Sequence, residues 1–399
     1  MSVRCFGYAN SIALTHFLRP FVLSTITLLH TAHMKIGIIA PAIENVPPKM
    51  YGGTERVVSA LTEELIRRGH AVTLFASGQS QTSARLISTF STPLREAFPQ
   101  KDGIMSRIKF SLMHLGNAYS MQDEFDIIHD HTGYFGLTYA QSSRIPVVST
   151  LHGNLTPDVI PAYKMFARPY LVSISHSQRQ PAQHLNFIDT VYNGLPMAKY
   201  PFSLTHKGYL LAVGRLTPEK GIHNAITIAR KVNLPLLIGA KLEDFNKKYF
   251  EEKIKPFLND RIRWIGEITE KQRNELMSHA LCFLHPLEWE EPFGLTIIEA
   301  MACGTPVVAF NKGSMSEIIQ HGKTGFIANT IQEAIRYVKN IHLIDRAYCR
   351  AYSLTHFSAD IMATGYEIVY EAILSQQRSL EQIHSKRLKI STKNFSPGN

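Results

Sequence analysis

The chain has little of what staples a fold or anchors it in a membrane. Its 399 residues include 4 cysteines, Cys5, Cys282, Cys303 and Cys349, and none forms a C-x-x-C pair. That excludes a disulfide framework and a cysteine knuckle for zinc, and it fits a reduced, cytoplasmic setting. No run of 18 apolar residues occurs; the nearest stretch, 11–30, is broken by His16, Arg19 and Pro20, so no ordinary membrane-spanning helix is read. The sequence lacks D-x-D, the pattern by which many metal-dependent sugar-nucleotide sites hold their cation. It also lacks G-x-G-x-x-G, which weakens a dinucleotide reading. Charged residues make up only 19%, and the excess of 42 basic over 32 acidic groups is concentrated at the ends. Arg4 and Arg19 face no acid within 1–33, and Arg378, Lys386, Arg387, Lys389 and Lys393 face only Glu381 within 378–399. Nucleic-acid binders carry their charge on the folded body, so no nucleic-acid partner is expected. Basic ends suit a peripheral contact with the inner face of an anionic membrane.

What the chain does have is alternation. Lys35 to Ala40 is a near-continuous apolar strand, and Thr54 to Arg68 follows with Val57, Val58, Leu61 and Leu65 on one helical face. Thr54 reads as the helix N-cap and Gly69 as its stop. Strand-like runs at Val72–Phe75, Asp126–His129, Pro146–Thr150 and Tyr170–Ile174 continue the series. The pattern restarts at Tyr209–Val213 and runs through Pro235–Ile238, Arg261–Ile265, Leu281–Leu284 and Thr305–Phe310. Strands alternating with helices predict βαβ units and doubly wound parallel sheets. Residues 193–207 carry turn signals without periodicity and read as a linker between two Rossmann-like halves. In such sheets ligands bind beyond the carboxyl ends of the strands, so the chemistry is expected in the strand-to-helix loops of both halves.

Those loops hold the chemistry-bearing residues. Gly214-Arg215-Leu216-Thr217-Pro218-Glu219-Lys220-Gly221 brings a fork-like guanidinium and a point-charge ammonium to a helix start, which suits a diphosphate; alone it is also an ordinary basic loop. Glu290-Glu291-Pro292-Phe293-Gly294-Leu295 leads into a helix carrying Glu299. Two carboxylates so placed would suit sugar hydroxyls, although surface helices are rich in glutamates. Tyr51-Gly52-Gly53-Thr54-Glu55 is either an anion-binding glycine loop or a plain tight turn. His129, Asp130 and His131 end one strand and His152 ends the next, where each histidine is either structural or a cleft residue. His129 and His131 lie too close for a helical ligand pair, and no zincin glutamate follows, so no metal site is read.

Taken together, the Gly214–Gly221 loop, Glu291–Leu295, Glu299 to Ala309, Tyr51–Arg56 and Ser149–Gly153 resemble the family 4 glycosyltransferases over about residues 34–375. Ser316 departs from the pattern, since such enzymes often have proline there. The resemblance implies a GT-B fold, two Rossmann-like doubly wound domains facing across a cleft. It implies a retaining, metal-independent transfer of a hexose-type sugar from a UDP- or GDP-linked donor, with no cofactor. The acceptor is a saccharide, a lipid-linked group or a small molecule. By that resemblance Arg215 and Lys220 neutralise the leaving diphosphate, while Glu291, Phe293, Gly294 and Leu295 hold the donor sugar. Glu299 takes the ribose, and Gly214, Gly266 and Ile268 border the nucleotide. Gly53 and His152 approach from the opposite domain, and His131 is a further sugar or acceptor contact. The expected organisation is an extension 1–33, an acceptor-side domain 34–200, a nucleotide-sugar domain 206–355, a crossing helix 356–377 and a basic tail 378–399. A sugar-nucleotide isomerase or hydrolase on the same fold, and a silent nucleotide-sugar-binding protein, are the alternatives. Residues 1–33 read as an upstream extension, a peripheral membrane segment or a signal. A chain starting at Met34 is expected to fold, stay soluble and keep donor hydrolysis.

Overall fold

The structure, a computed structural model, describes residues 33–50, 52–99 and 103–393. The readings that concern residues 1–32, Tyr51 and the basic side chains from Lys386 onward lie outside the described residues. Seven parallel strands form the first sheet: β1 (Lys35–Ile39), β2 (Ala71–Phe75), β3 (Arg85–Ile87), β4 (Ile127–Asp130), β5 (Val147–Leu151), β6 (Tyr170–Ser173) and β7 (Phe187–Thr190). Their order is β3-β2-β1-β4-β5-β6-β7. Six more form the second: β8 (Leu210–Arg215), β9 (Leu236–Lys241), β10 (Ile262–Trp264), β11 (Cys282–His285), β12 (Val307–Phe310) and β13 (Gly325–Ala328), ordered β10-β9-β8-β11-β12-β13. Central strands read as unbroken apolar runs because both faces are covered; Ile36, Ile38 and Ile39 of β1 are fully buried, as are Leu210 and Leu211 of β8.

Helices of eight residues or more are α1 (Gly53–Arg67), α2 (Ile104–Ser120), α3 (Ile222–Val232), α4 (Glu270–His279), α5 (Leu295–Ala302), α6 (Ile331–Lys339), α7 (Arg346–His356) and α8 (Ala359–Lys393). Helix α1 buries Val57, Val58, Leu61 and Leu65 on one face, and the chain leaves it through Gly69 in the left-handed region. It starts before Thr54: Gly52 is the N-cap, at a spot where a Cβ would lie 2.8 Å from the Pro48 side chain.

The 193–207 segment is no loose tether. Leu195, Met197 and Tyr200 are buried, and Leu195 exchanges backbone hydrogen bonds with Phe357 (3.0 Å) and Ala359 (2.9 Å). The chain thus passes between the two halves twice, side by side. After the second passage α8 lays Met362, Tyr366, Tyr370 and Ile373 into the same core as Ile36, Val57 and Leu61. Helix α8 runs past Gln377 to Lys393, because no proline or glycine follows Gly365 until Pro397. Among the described residues no helix is long and apolar enough to cross a membrane.

Strand order reverses between β1 and β4 in one sheet and between β8 and β11 in the other. Loops diverge at such points and leave a crevice at the carboxyl ends.

Candidate active site

Both switch points open on one cleft of about 450 Å³. The second sheet supplies a wall made of two loops. Strand β8 ends at Arg215 and leads through Lys220 to Gly221; β11 ends at His285 and leads through Trp289 and Glu291 to Gly294. Gly221 sets their spacing. It sits at φ +64, and a Cβ there would lie 1.9 Å from the Pro286 carbonyl oxygen, so only glycine lets the loops close this far. Lys220 Nζ then donates to Glu291 Oε2 at 2.7 Å and lies 4.5 Å over the Trp289 ring, whose Nε1 donates to the same oxygen at 3.0 Å. Arg215 stands near two carboxylates, Glu219 at 4.0 Å and Glu243 at 3.9 Å. Gly294, at φ +91, caps α5 and turns that helix start toward the cleft. The loop is fixed from behind: Ser314 N donates to the Glu291 carbonyl (2.9 Å) and Ser314 Oγ to the Phe293 carbonyl (2.8 Å). The departure at Ser316 is exposed and leaves these contacts intact.

The first sheet supplies the facing wall from the β1 loop, the start of α1 and the end of β5. Gly53, Glu55, Arg56 and His152 line it, with the Glu44–Arg95 ion pair beside them. Glu55 is 6% exposed, and burial pushes its carboxyl up to about 7. Gly214, Ile268, Phe293 and Leu295 also line the cleft, so most of the sequence-derived set is brought together.

Gly266, Glu299 and His131 are not on the cleft wall, and the last two have clear physical reasons. Glu299 is fully buried under two guanidiniums that do line the cleft. Its Oε1 accepts from Arg56, from Arg273 Nη2 at 2.9 Å and from Tyr200 Oη at 3.1 Å. Burial would raise its pKa, but Arg273 and Arg56 outweigh it and hold the carboxyl below its ordinary value. Its Oε2 has no partner. Arg56 reaches across from α1 and also meets Glu270 at 3.2 Å. Sequence reasoning missed Arg56, Arg273, Glu55 and Trp289. Arg56 lies three positions beyond Gly53, but its partner Glu299 lies 243 residues away, and nothing local announces the pairing.

His131 is 2% exposed and lies against His152, with its Nδ1 2.9 Å from His152 Nε2. Above it sits His129, ring centroids 3.9 Å apart, whose nitrogens meet Tyr370 Oη (2.6 Å) and Thr150 Oγ1 (2.7 Å). Burial depresses all three imidazoles, His152 to about 4. Among the described residues no group of three or more His, Cys, Asp or Glu is arranged to hold a metal ion.

Two doubly wound domains whose switch points share one cleft define the GT-B fold, and relatives in sequence carry it to an activity. Residues 51–194 match the model of Glycosyltransferase Family 4, and residues 200–346 match Glycosyl transferases group 1. The chain belongs to the family 4 glycosyltransferases. It is 26% identical over 330 residues to the glycogen synthase of Mycobacterium tuberculosis, covering 70% of this chain and 79% of that one. In structure it resembles AviGT4, a glycosyltransferase involved in avilamycin A biosynthesis, with TM-score 0.67 at 21% identity over 86% of this chain and 98% of that one. It also resembles Anabaena HepE in complex with UDP and glucose, with TM-score 0.65 at 19% identity over 85% of this chain and 100% of that one.

Proposed function

We propose that the chain moves a hexose-type sugar from a nucleoside-diphosphate sugar to an acceptor hydroxyl, with retention of anomeric configuration and without a metal ion. The observation that carries this reading is the convergence of Arg215, Lys220 and the Gly294-capped start of α5 opposite Gly53 in one cleft. Leaving diphosphate is the charge that grows in the transition state, and fixed cations with helix amides stabilise it there. Lys220, now on Glu291, exchanges that carboxylate for phosphate oxygens, and Glu291 turns to sugar hydroxyls together with the backbone of Phe293, Gly294 and Leu295. Gly214, Gly266 and Ile268 border the nucleotide. Glu299 meets the ribose once Arg56 moves aside, through the oxygen that has no protein partner.

In the transfer, the acceptor oxygen gives its lone pair to the anomeric carbon on the face the diphosphate leaves. The electrons of the breaking C–O bond pass to the diphosphate, and one of its oxygens takes the hydroxyl proton. The acceptor, a saccharide, a lipid-linked group or a small molecule, meets the first-domain wall of Glu44, Glu55 and Arg95. HepE carries UDP and glucose, which supports a nucleotide-linked hexose as donor. The test is a panel of UDP-, GDP- and ADP-linked hexoses, measured for binding and slow hydrolysis in excess chelator. One donor should stand out and survive chelation, and Lys220→Ala should cut its turnover on the order of 10²-fold. Binding of none, or inactivation by chelator reversed by a divalent cation, overturns the reading.

A further inference from the structure

His131 meets neither the cleft nor solvent, yet it makes the hydrogen bond that orients a cleft residue. His131 Nδ1 and His152 Nε2 are 2.9 Å apart with the rings stacked at 5.2 Å between centroids. The backbone N–H of His131 is tied to the Ile39 carbonyl at 2.9 Å, and His129 covers its other face. His129 is itself clamped between Tyr370 of α8 and Thr150 of β5, and Thr150 Oγ1 is 2.9 Å from Tyr366 Oη of α8. The pair therefore has one geometry, and only the placement of the protons is left to settle.

Two neutral imidazoles sharing one hydrogen bond have two arrangements. If His152 Nε2–H donates, His131 must carry its own proton on Nε2. That nitrogen is buried and has no hydrogen-bond partner. A buried N–H without an acceptor forfeits the full hydration of a donor, and such orphans are rarer than under-satisfied acceptors. If instead His131 Nδ1–H donates to His152 Nε2, the orphan is a bare ring lone pair. His152 then carries its proton on Nδ1, the nitrogen left for a ligand.

We infer that His131 is a positioning residue that fixes the tautomer of His152, so that His152 donates a hydrogen bond to the bound sugar and cannot act as the base. The inference rests on the transferase reading and sharpens it: with both ring nitrogens committed, His152 is removed as recipient of the acceptor's proton, in keeping with the diphosphate oxygen taking it. Burial of both rings keeps the second proton off, which preserves the neutral pair across the working pH range.

The test is the ¹⁵N spectrum of the full chain with labelled histidine, His152 being assigned by its loss in His152→Gln. A pyrrole-type Nδ1 and a pyridine-type Nε2 on His152 are expected. The reverse pattern, or shifts averaged between the two, overturns the inference. Kinetics supply the second arm. His131→Leu should lower turnover about tenfold, the size of one net hydrogen bond, with affinity for the nucleoside diphosphate unchanged. His131→Asn, which places an amide N–H where Nδ1–H was, should recover most of that loss. His131→Asp, an acceptor, should flip the His152 pattern and stay impaired; equal rates in all three variants count against the assignment. The spectrum needs no substrate. It can fail while transfer stands, and transfer can fail while the spectrum stands.

Discussion

Glu291 and Glu299 lie eight positions apart and do different work. Glu291 is held by one ammonium and one indole at the cleft surface, whereas Glu299 is buried between Arg56 and Arg273. Removing the charge of Glu299 leaves Arg56 and Arg273 with only the half-exposed Glu270, at 3.2 and 3.7 Å, and breaking such a buried pairing costs up to about 3–5 kcal/mol. Glu299→Gln is therefore expected to lower Tm strongly and to weaken nucleotide binding. Glu291→Gln should leave Tm nearly unchanged and depress sugar transfer while nucleoside diphosphate still binds. Equal Tm losses in the two, read by calorimetry, would contradict this division. Glu55 gives a different signature. Its folded pKa of about 7 stands above the ordinary 4.5, so the folded state holds a proton that the unfolded chain releases. Stability from this group is complete below 4.5 and is lost as pH rises through 7. Glu55→Gln keeps the shape and the acceptor oxygen but cannot ionise. It should exceed wild type by less than about 1 kcal/mol at pH 5 and by up to about 3 kcal/mol at pH 8, measured as ΔTm at the two pH values.

At the scale of elements, the site depends on how closely the β8 and β11 loops approach. Gly221→Ala places a methyl into the Pro286 carbonyl and strains a left-handed residue, so it should reduce both Tm and turnover. Gly208→Ala is the control: its φ is +77, but nothing lies within 4 Å of the added methyl, so a modest Tm loss without a turnover change is expected. Central strands and the helices beside them were legible because their apolar runs are long and their caps explicit. Strands β3, β7 and β13 were not. All three lie at sheet edges, where an unbroken apolar run is not required, and β3 and β7 are half-exposed. The same rule governs the site. Arg215, Lys220, Glu291 and Gly294 were legible because they sit in loops whose position a strand and a helix announce. Arg56 and Arg273 sit mid-pattern on helices, and their meaning appears only when folding brings α1 and α4 against α5. The burial of His131 was invisible for a related reason. It is set by α8, more than 200 residues downstream, whose Tyr366 and Tyr370 close over the end of β4 and β5.

The whole molecule carries an acid-sensitive core. Burial holds His114 and His152 at about 4 and His285 at about 3, and it depresses His129 and His131 well below the ordinary 6.5. In each case the unfolded chain takes a proton below pH 6.5 that the folded chain refuses. Stability is therefore complete above 6.5 and is lost as pH falls toward the folded values, at about 1.4 kcal/mol per pH unit for each group at most. Glu55 and Asp130, both raised by burial, act in the opposite direction over part of the same range. Five groups against two decide the sign. These histidines are spread over both sheets and α2, so the loss belongs to the common core and not to one loop. Thermal unfolding between pH 5 and 8 should show its highest Tm near neutrality and a steep fall below pH 6. His114→Gln isolates one contributor. His114 Nε2 lies 3.1 Å from the Ala40 carbonyl, and a glutamine amide can still donate there but does not titrate near neutrality. That variant should have a shallower fall in Tm below pH 6.5 and an unchanged Tm at pH 8. A flat Tm between pH 5 and 7 in the wild type, or an equal slope in His114→Gln, would show that these imidazoles are already solvated in the folded state.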